Sequence, residues 1–204
     1  MKEQDYDKLF NIETSKEQKD FHQSLHYNRY EATPYSALET LFKEYTITEA
    51  DSAVDYGCGK GRLLFYINHF YNSKVTGIEM DESFYNDCLK NKEYYLSKHK
   101  NALNKINFIN DFAENYNINI NDNKFYFFNP FSVQIFMKIV DNILESLEKN
   151  NRPVEIILYY PSDDYIYYLD NCTTFELINE ITIDHLYSKN SRERFLIYRL
   201  NYLY

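Results

Sequence analysis

Apolar residues follow two alternating patterns along this chain: short continuous runs, and longer stretches in which they recur every three or four positions. Short runs bounded by Gly, Pro or Asn are typical of buried strands, and recurrence at i, i+3 and i+4 is typical of helices. The runs predict strands at residues 53–56, 74–79, 106–109, 125–128, 154–160, 175–183 and 194–201. The recurring stretches predict helices at residues 34–45, 63–71, 82–99, 132–147 and 163–170.

The order of these elements predicts the architecture. Strands alternate with helices for most of the chain, and the last two strands follow one another. Alternation implies parallel pairing through right-handed crossovers, whereas two consecutive strands imply an antiparallel pair. We therefore predict an α/β fold, a doubly wound, mostly parallel seven-stranded sheet with an antiparallel closing hairpin at the C-terminus.

The first 50 residues are polar and differ from the rest of the chain. Helical spacing is weak from Lys8 to Ile12 and again from Phe21 to Leu25, and Pro34 precedes a clearer helical pattern. Proline is tolerated at a helix start. We expect residues 1–50 to be a partly helical N-terminal extension whose segment 29–35 acts as a lid or substrate wall, and residues 51–204 to form the ligand-binding domain.

Composition narrows the function classes for this chain of 204 residues. With 31 acidic against 22 basic residues, the chain lacks the basic footprint that phosphate contacts require, so a nucleic-acid partner is unlikely. No apolar run approaches the roughly 20 residues of a membrane span, and the charged N-terminus differs from a signal peptide, which predicts a cytoplasmic protein. Three cysteines without CxxC spacing, and His22 and His26 without further ligands, predict neither disulfides nor a metal site.

Three of the four glycines lie together at positions 57, 59 and 61, between the first predicted strand and a helix. Glycine is used where φ must be positive or where a ligand approaches the backbone, so this loop is a candidate binding site. A dinucleotide loop, G-x-G-x-x-G, would need a third glycine at the position of Arg62. A P-loop would need Ser or Thr after Lys60, where Gly61 stands. Neither phosphate-binding interpretation fits.

The segment from Asp55 to Gly61 reads D-x-G-x-G-x-G and resembles motif I of the Rossmann-like S-adenosylmethionine-dependent methyltransferases. The resemblance implies methyl transfer from S-adenosylmethionine, with S-adenosylhomocysteine as product. It also implies that Glu79 binds the ribose hydroxyls, that Met80 packs on the adenine and that Asp111 accepts from the adenine amino group. The cofactor-binding residues it implies are Asp55, Tyr56, Gly57, Cys58, Gly59, Gly61, Glu79, Met80, Asp111, Phe112 and Asn129.

A second resemblance follows the fourth predicted strand. Asn129-Pro130-Phe131 is similar to the N-P-P-[YF] motif of amino-group methyltransferases, with one proline missing. It implies that the Asn129 side chain and the Pro130 carbonyl accept from a substrate amine, and that the Phe131 ring lies against its plane. The missing proline changes the backbone path. Each candidate also has a purely structural interpretation, as a strand-end carboxylate or a turn.

These observations favour an enzyme that methylates a small-molecule or protein acceptor, a nitrogen among the candidate acceptor atoms. Two alternatives stay open. One is a non-catalytic protein that binds S-adenosylmethionine or S-adenosylhomocysteine. The other is an aminopropyl-transferase-like enzyme of the same fold, in which Asp163 and Asp164 would supply carboxylates for a polyamine.

Overall fold

The computed structural model describes residues 2–15 and 31–200. Within them, seven strands form one sheet in the order β3-β2-β1-β4-β5-β7-β6. All strands run parallel except β7, which is antiparallel to both of its neighbours. This confirms the predicted doubly wound sheet with its closing hairpin. The strands are β1 (Ser52–Tyr56), β2 (Lys74–Glu79), β3 (Ile106–Asn110), β4 (Lys124–Phe127), β5 (Val154–Tyr159), β6 (Glu176–Thr182) and β7 (Arg194–Leu200).

Helices cover both faces of the sheet. Those of the described residues are α1 (Glu3–Phe10), α2 (Tyr35–Glu44), α3 (Arg62–Tyr71), α4 (Glu82–Lys98), α5 (Val133–Lys149), α6 (Asp163–Cys172) and α7 (Asp184–Tyr187). The first four pack into one apolar core, and α5 and α6 pack into the other. The pattern did not predict α7, whose four residues are too few to show a helical period.

The central strands β1, β4 and β5 are buried on both faces, which explains their continuous apolar runs. Alternate residues of one strand enter different cores: Ala53 lies in the first, whereas Val54 and Tyr56 lie in the second. Parallel strands covered by helices on both sides lack the usual polar alternation for this reason. All five residues of β1 are accordingly buried.

The strand order reverses between β1 and β4. From β1, the chain first builds outward through β2 to β3, and then returns to place β4 on the other side of β1. In open α/β sheets, ligands bind in the crevice outside the carboxyl ends of the strands at such a switch point. The ends of β1, β2 and β4 therefore mark where a site is expected.

Two elements of the N-terminal 50 residues, α1 and α2, pack on the first core. Their buried residues include Tyr6, Phe10, Leu38 and Leu41. The helical spacing predicted from Phe21 to Leu25 lies outside the described residues, as do His22 and His26. No helix in the described part of the chain is both long and apolar enough to cross a lipid bilayer.

Candidate functional site

A cleft opens where β1, β2 and β4 end, at the predicted switch point. Its walls come from the glycine loop, from the segment after β2, from the segment after β4 and from residues 31–33 of the N-terminal part. The floor is largely apolar and includes Leu63, Ile78, Phe84 and Ala113. An apolar cleft with a few convergent polar groups is the usual form of a small-molecule site.

The glycine loop needs its glycines for backbone and steric reasons together. Gly57 and Gly61 have φ of 77° and 81°, in the left-handed region that favours glycine. A Cβ on Gly57 would lie 2.9 Å from Cβ of Pro130, and one on Gly61 would lie 2.8 Å from Cζ of Phe108. Gly57 therefore presents bare backbone to the cleft, whereas Gly61 allows close packing against the core.

Glu79 ends β2 and braces this loop. Its Oε2 accepts from the Gly59 amide at 2.9 Å, and its Oε1 accepts from the Asp81 amide at 2.9 Å. The carboxyl group also lines the cleft, and burial raises its pKa to about 7. Since each carboxylate oxygen has two lone pairs, Glu79 can accept further hydrogen bonds from a ligand.

Asp55 near the end of β1 is also buried but has no such partners. Its side chain lines the cleft and is 5% exposed, and none of the described residues donates a hydrogen bond to it. Burial, with a smaller contribution from the neighbouring charge of Glu79, raises the pKa of Asp55 to about 8. A buried carboxyl group without donors is costly, so this position favours either a proton or a ligand.

The predicted adenine-side residues are Met80, Asp111 and Phe112. Met80 and Asp111 line the cleft, and Met80 is 39% exposed. Asp111 Oδ1 accepts from the Phe112 amide at 2.7 Å and from Asn115 Nδ2 at 2.8 Å. Phe112 is half exposed and is not among the lining residues.

Two of the predicted loop residues have side chains that belong to the apolar cores. Cys58 is among the residues that line the cleft, but it also belongs to the first core, and burial raises the pKa of its thiol. Tyr56 lies in the second core, where its ring stacks on Phe127 with centroids 4.9 Å apart. Tyr56 can therefore meet a ligand in this cleft only through its backbone.

The predicted acceptor residues are also divided. Pro130 and Phe131 line the cleft, whereas Asn129, with φ of 41°, is not among the lining residues. The hydroxyl of Tyr165 fixes Phe131 by accepting from its amide at 3.2 Å and donating to its carbonyl at 2.7 Å. Asp163 and Asp164 belong to the first turn of α6 and do not line the cleft.

Arg62 joins the N-terminal part to the glycine loop, a role that the sequence reasoning missed. It is 6% exposed, and its guanidinium donates to Glu3 at 2.5 Å and to Thr14 Oγ1 at 2.9 Å. It also donates to the Thr33 carbonyl at 3.2 Å and lies over the Tyr35 ring. A cation at a helix N-terminus opposes the helix dipole. The presence of Arg62 at the first position of α3 could therefore have indicated that its charge is paired with a residue elsewhere in the chain.

Residues 31–33 form the wall that Arg62 holds. Thr33 Oγ1 lies 2.7 Å from the hydroxyl of Tyr126 on β4, and both residues line the cleft. The segment 29–35 was predicted to be a lid or substrate wall. Residues 29 and 30 lie outside the described part of the chain.

Comparisons with known proteins extend these findings. No protein-family model matches the chain, and no curated protein matches it in sequence. An RNA methyltransferase from Salinibacter ruber, solved with S-adenosylhomocysteine, matches at 15% identity and a TM-score of 0.53, over 83% of this chain and 92% of that one. A SAM-dependent methyltransferase from Thiobacillus denitrificans, also with S-adenosylhomocysteine, matches at 11% identity and a TM-score of 0.56, over 84% and 92%.

A third structure, an rRNA methylase from Streptococcus thermophilus, matches at 15% identity and a TM-score of 0.53, over 82% of this chain and 95% of that one. At such identities the likeness concerns the fold. The chain has the Rossmann-like methyltransferase fold, as its sequence motif predicted.

Proposed function

We propose that this chain binds S-adenosylmethionine in the cleft and transfers its methyl group to a small-molecule or protein acceptor. The observation that carries the proposal is the bond from Gly59 to Glu79, which joins the glycine loop to the carboxylate at the end of β2. This bond holds the glycine loop and the Glu79 carboxylate together at the topological switch point, where a nucleoside would bind. The cofactor-containing neighbours of the same fold support it.

The residues of the cleft fit such a cofactor. Gly57 has no side chain, so a ligand can come close to its backbone. Packing also requires glycine at this position, because a Cβ there would crowd Pro130. Glu79 would accept from two ribose hydroxyls, Asp111 would accept from the adenine amino group, and Met80 would cover the ring. Asp55 offers a carboxyl group that still lacks a partner among the described residues.

The methyl donor supplies an activated carbon, so the task of the protein is orientation and exclusion of water. Aligning the acceptor with the methyl group supplies most of the rate advantage that a site can give to a direct displacement. Phe131 and Pro130 would form the acceptor wall, with Thr33 and Ala32 opposite. The predicted role of Asn129 would require its side chain to turn toward the cleft. Cytoplasmic location and metal-free transfer remain predictions from the sequence.

Calorimetric titration with S-adenosylmethionine, S-adenosylhomocysteine and NAD tests the cofactor. We expect both adenosyl compounds to bind and NAD to fail. Glu79→Ala should weaken both by about tenfold or more, as expected when a buried hydrogen-bond acceptor is removed. Glu82→Ala is the matched control, because this exposed carboxylate lies in the first turn of α4 outside the cleft. Binding of NAD alone, or equal affinities in the two variants, would contradict the assignment.

Transfer of a labelled methyl group tests the reaction. Purified protein and labelled donor are added to metabolite, protein and nucleic-acid fractions, with Asn129→Ala as the comparison variant. Label in the first or second fraction is expected. Label confined to nucleic acid would overturn the acceptor class, and donor binding without any label would favour the non-catalytic alternative. Tighter binding of decarboxylated S-adenosylmethionine would favour aminopropyl transfer.

A further inference from the structure

The carboxyl group of Asp55 makes no hydrogen bond within the described residues, although Asp55 is 5% exposed and lines the cleft. Its neighbour Glu79 accepts two backbone bonds, whereas none of the described residues donates to Asp55. A carboxyl group that the fold does not use, aimed into a ligand cleft, is a candidate for ligand recognition.

We propose that Asp55 selects ligands by charge, so that the cleft holds the sulfonium methyl donor in preference to the neutral thioether product. This inference rests on the proposed function. Transfer breaks the bond between sulfur and methyl carbon, leaves the electron pair on sulfur and forms the bond from acceptor to carbon. The positive charge therefore leaves the cofactor in that step. The attraction of Asp55 for the cofactor disappears when the reaction is complete, which favours product release.

The surroundings of Asp55 leave its charge uncompensated. Burial raises the pKa of the Cys58 and Cys88 thiols and of the Tyr126 phenol, so these groups on the loop, on α4 and on β4 are neutral near pH 7. The cation on α3, Arg62, already pairs with Glu3 at 2.5 Å. Of the described residues, no other cationic side chain lines the cleft.

Further carboxylates strengthen the preference for a cation. Glu79 on β2 faces the same space, and Glu31, Asp81 and Asp111 line the rim. The cleft is thus lined by five carboxyl groups and, within the described residues, by one cation that is already paired. In a partly dehydrated site, a positive charge on the ligand interacts with these groups more strongly than in water.

Selection by charge should make binding of the methyl donor depend on pH. Asp55, with a pKa of about 8, and Glu79, with a pKa of about 7, retain protons near neutral pH in the empty cleft. Two neighbouring carboxyl groups titrate as a coupled pair. A sulfonium ligand stabilises the ionised form and lowers these pKa values, so its binding releases a proton, whereas a thioether leaves the proton in place. Donor affinity should therefore rise with pH and level off above about pH 8.

Calorimetry between pH 6 and 9, in buffers of different ionisation enthalpy, tests this for the wild type, Asp55→Asn and the control Glu82→Gln. The probes are S-adenosylmethionine, S-adenosylhomocysteine and sinefungin, in which an amine replaces the sulfonium. We expect the wild-type ratio of donor to product affinity to rise about tenfold from pH 6 to pH 8. Asp55→Asn should lower donor and sinefungin affinity about tenfold, change product affinity less than twofold and flatten the pH dependence of the ratio.

The comparison of variants cancels the titration of the ligands' own amino groups, because these are the same in each experiment. Equal losses for donor and product in Asp55→Asn would overturn charge selection and leave the proposed cofactor site intact. If Asp55→Asn does not fold, the wild-type proton count decides: equal proton release for donor and product would overturn the inference. Failure of both ligands to bind at any pH would instead overturn the proposed function.

Discussion

The two walls of the cleft are built in different ways. The loop wall, Gly57 to Gly61 with Glu79, uses backbone amides and left-handed glycines, and its central bond joins residues 20 positions apart. The extension wall, residues 31–33, depends on side-chain contacts across 29 positions to Arg62 and 93 positions to Tyr126. The loop wall therefore comes mostly from one contiguous sequence motif. The extension wall depends on contacts between residues that are far apart in the sequence.

This difference predicts that the two walls differ in how easily they can move relative to the sheet. The loop wall continues directly from β1 into α3, so it cannot rearrange without disturbing the sheet. The extension wall continues into α2 at one end, and individual hydrogen bonds join it to Arg62 and Tyr126. Each of these bonds contributes about 1 kcal/mol net, so this wall can detach from the sheet without disturbing it. Arg62 belongs to both, because it follows Gly61 in sequence and donates to the Thr33 carbonyl.

The largest effect is expected at the loop wall. Gly57→Ala places a Cβ 2.9 Å from Pro130 at a φ of 77°. Left-handed strain and overpacking together should lower the free energy of unfolding by about 2–4 kcal/mol. Chemical denaturation measures this loss, and calorimetry should show that cofactor binding falls together with it. A folded Gly57→Ala protein with wild-type affinity would show that the loop wall can rearrange after all.

An intermediate effect is expected at the anchor of the extension wall. Buried Asp7 accepts from Thr14 and Ser15, through both the amide and the hydroxyl of each, and from the Tyr35 hydroxyl. Asp7→Ala leaves the buried donors of Thr14 and Tyr35 without this partner and should cost about 2–3 kcal/mol. Because Asp7 does not line the cleft, any loss of cofactor affinity must act through the docking of the wall.

Hydrogen exchange of residues 31–35 and calorimetry with S-adenosylhomocysteine measure these two effects in Asp7→Ala. We expect faster exchange in that segment, unchanged exchange in β1 and about threefold to tenfold weaker binding. Asp5→Ala is the matched control, because this carboxylate on the same helix is exposed and accepts from the Lys2 amide at 3.1 Å. Equal exchange in both variants would mean that Asp7 does not anchor the wall.

The same contrast explains what the sequence could predict. Strand runs and the glycine spacing are local patterns, so they predicted β1, the loop and the place of Glu79 correctly. The pattern gave no direction for individual side chains, so it did not show that the Tyr56 ring stacks on Phe127 in the core. The predicted contact of Tyr56 with a ligand stays a prediction, and it would be made by the backbone.

The partners of Arg62 could not be read from the sequence, because its contacts reach back to Glu3, Thr14 and Thr33 over 29 to 59 positions. No periodicity connects residues so far apart. What the sequence did show was a local conflict, a cation at a helix N-terminus, where the helix dipole disfavours it. Such conflicts between local rules and the residue present are expected where tertiary contacts or function prevail.

The smallest effect is expected at the contact between the extension wall and β4. Thr33→Val removes the hydroxyl that lies 2.7 Å from the Tyr126 hydroxyl, and should lower the free energy of unfolding by about 1 kcal/mol. Tyr126→Phe should cost a similar amount, and the double variant should cost less than the sum, because no buried hydroxyl is then left without its partner. Denaturation of all four proteins gives the coupling free energy. A coupling near zero would mean that this wall is positioned by Arg62 and packing alone, and that β4 does not help to hold it.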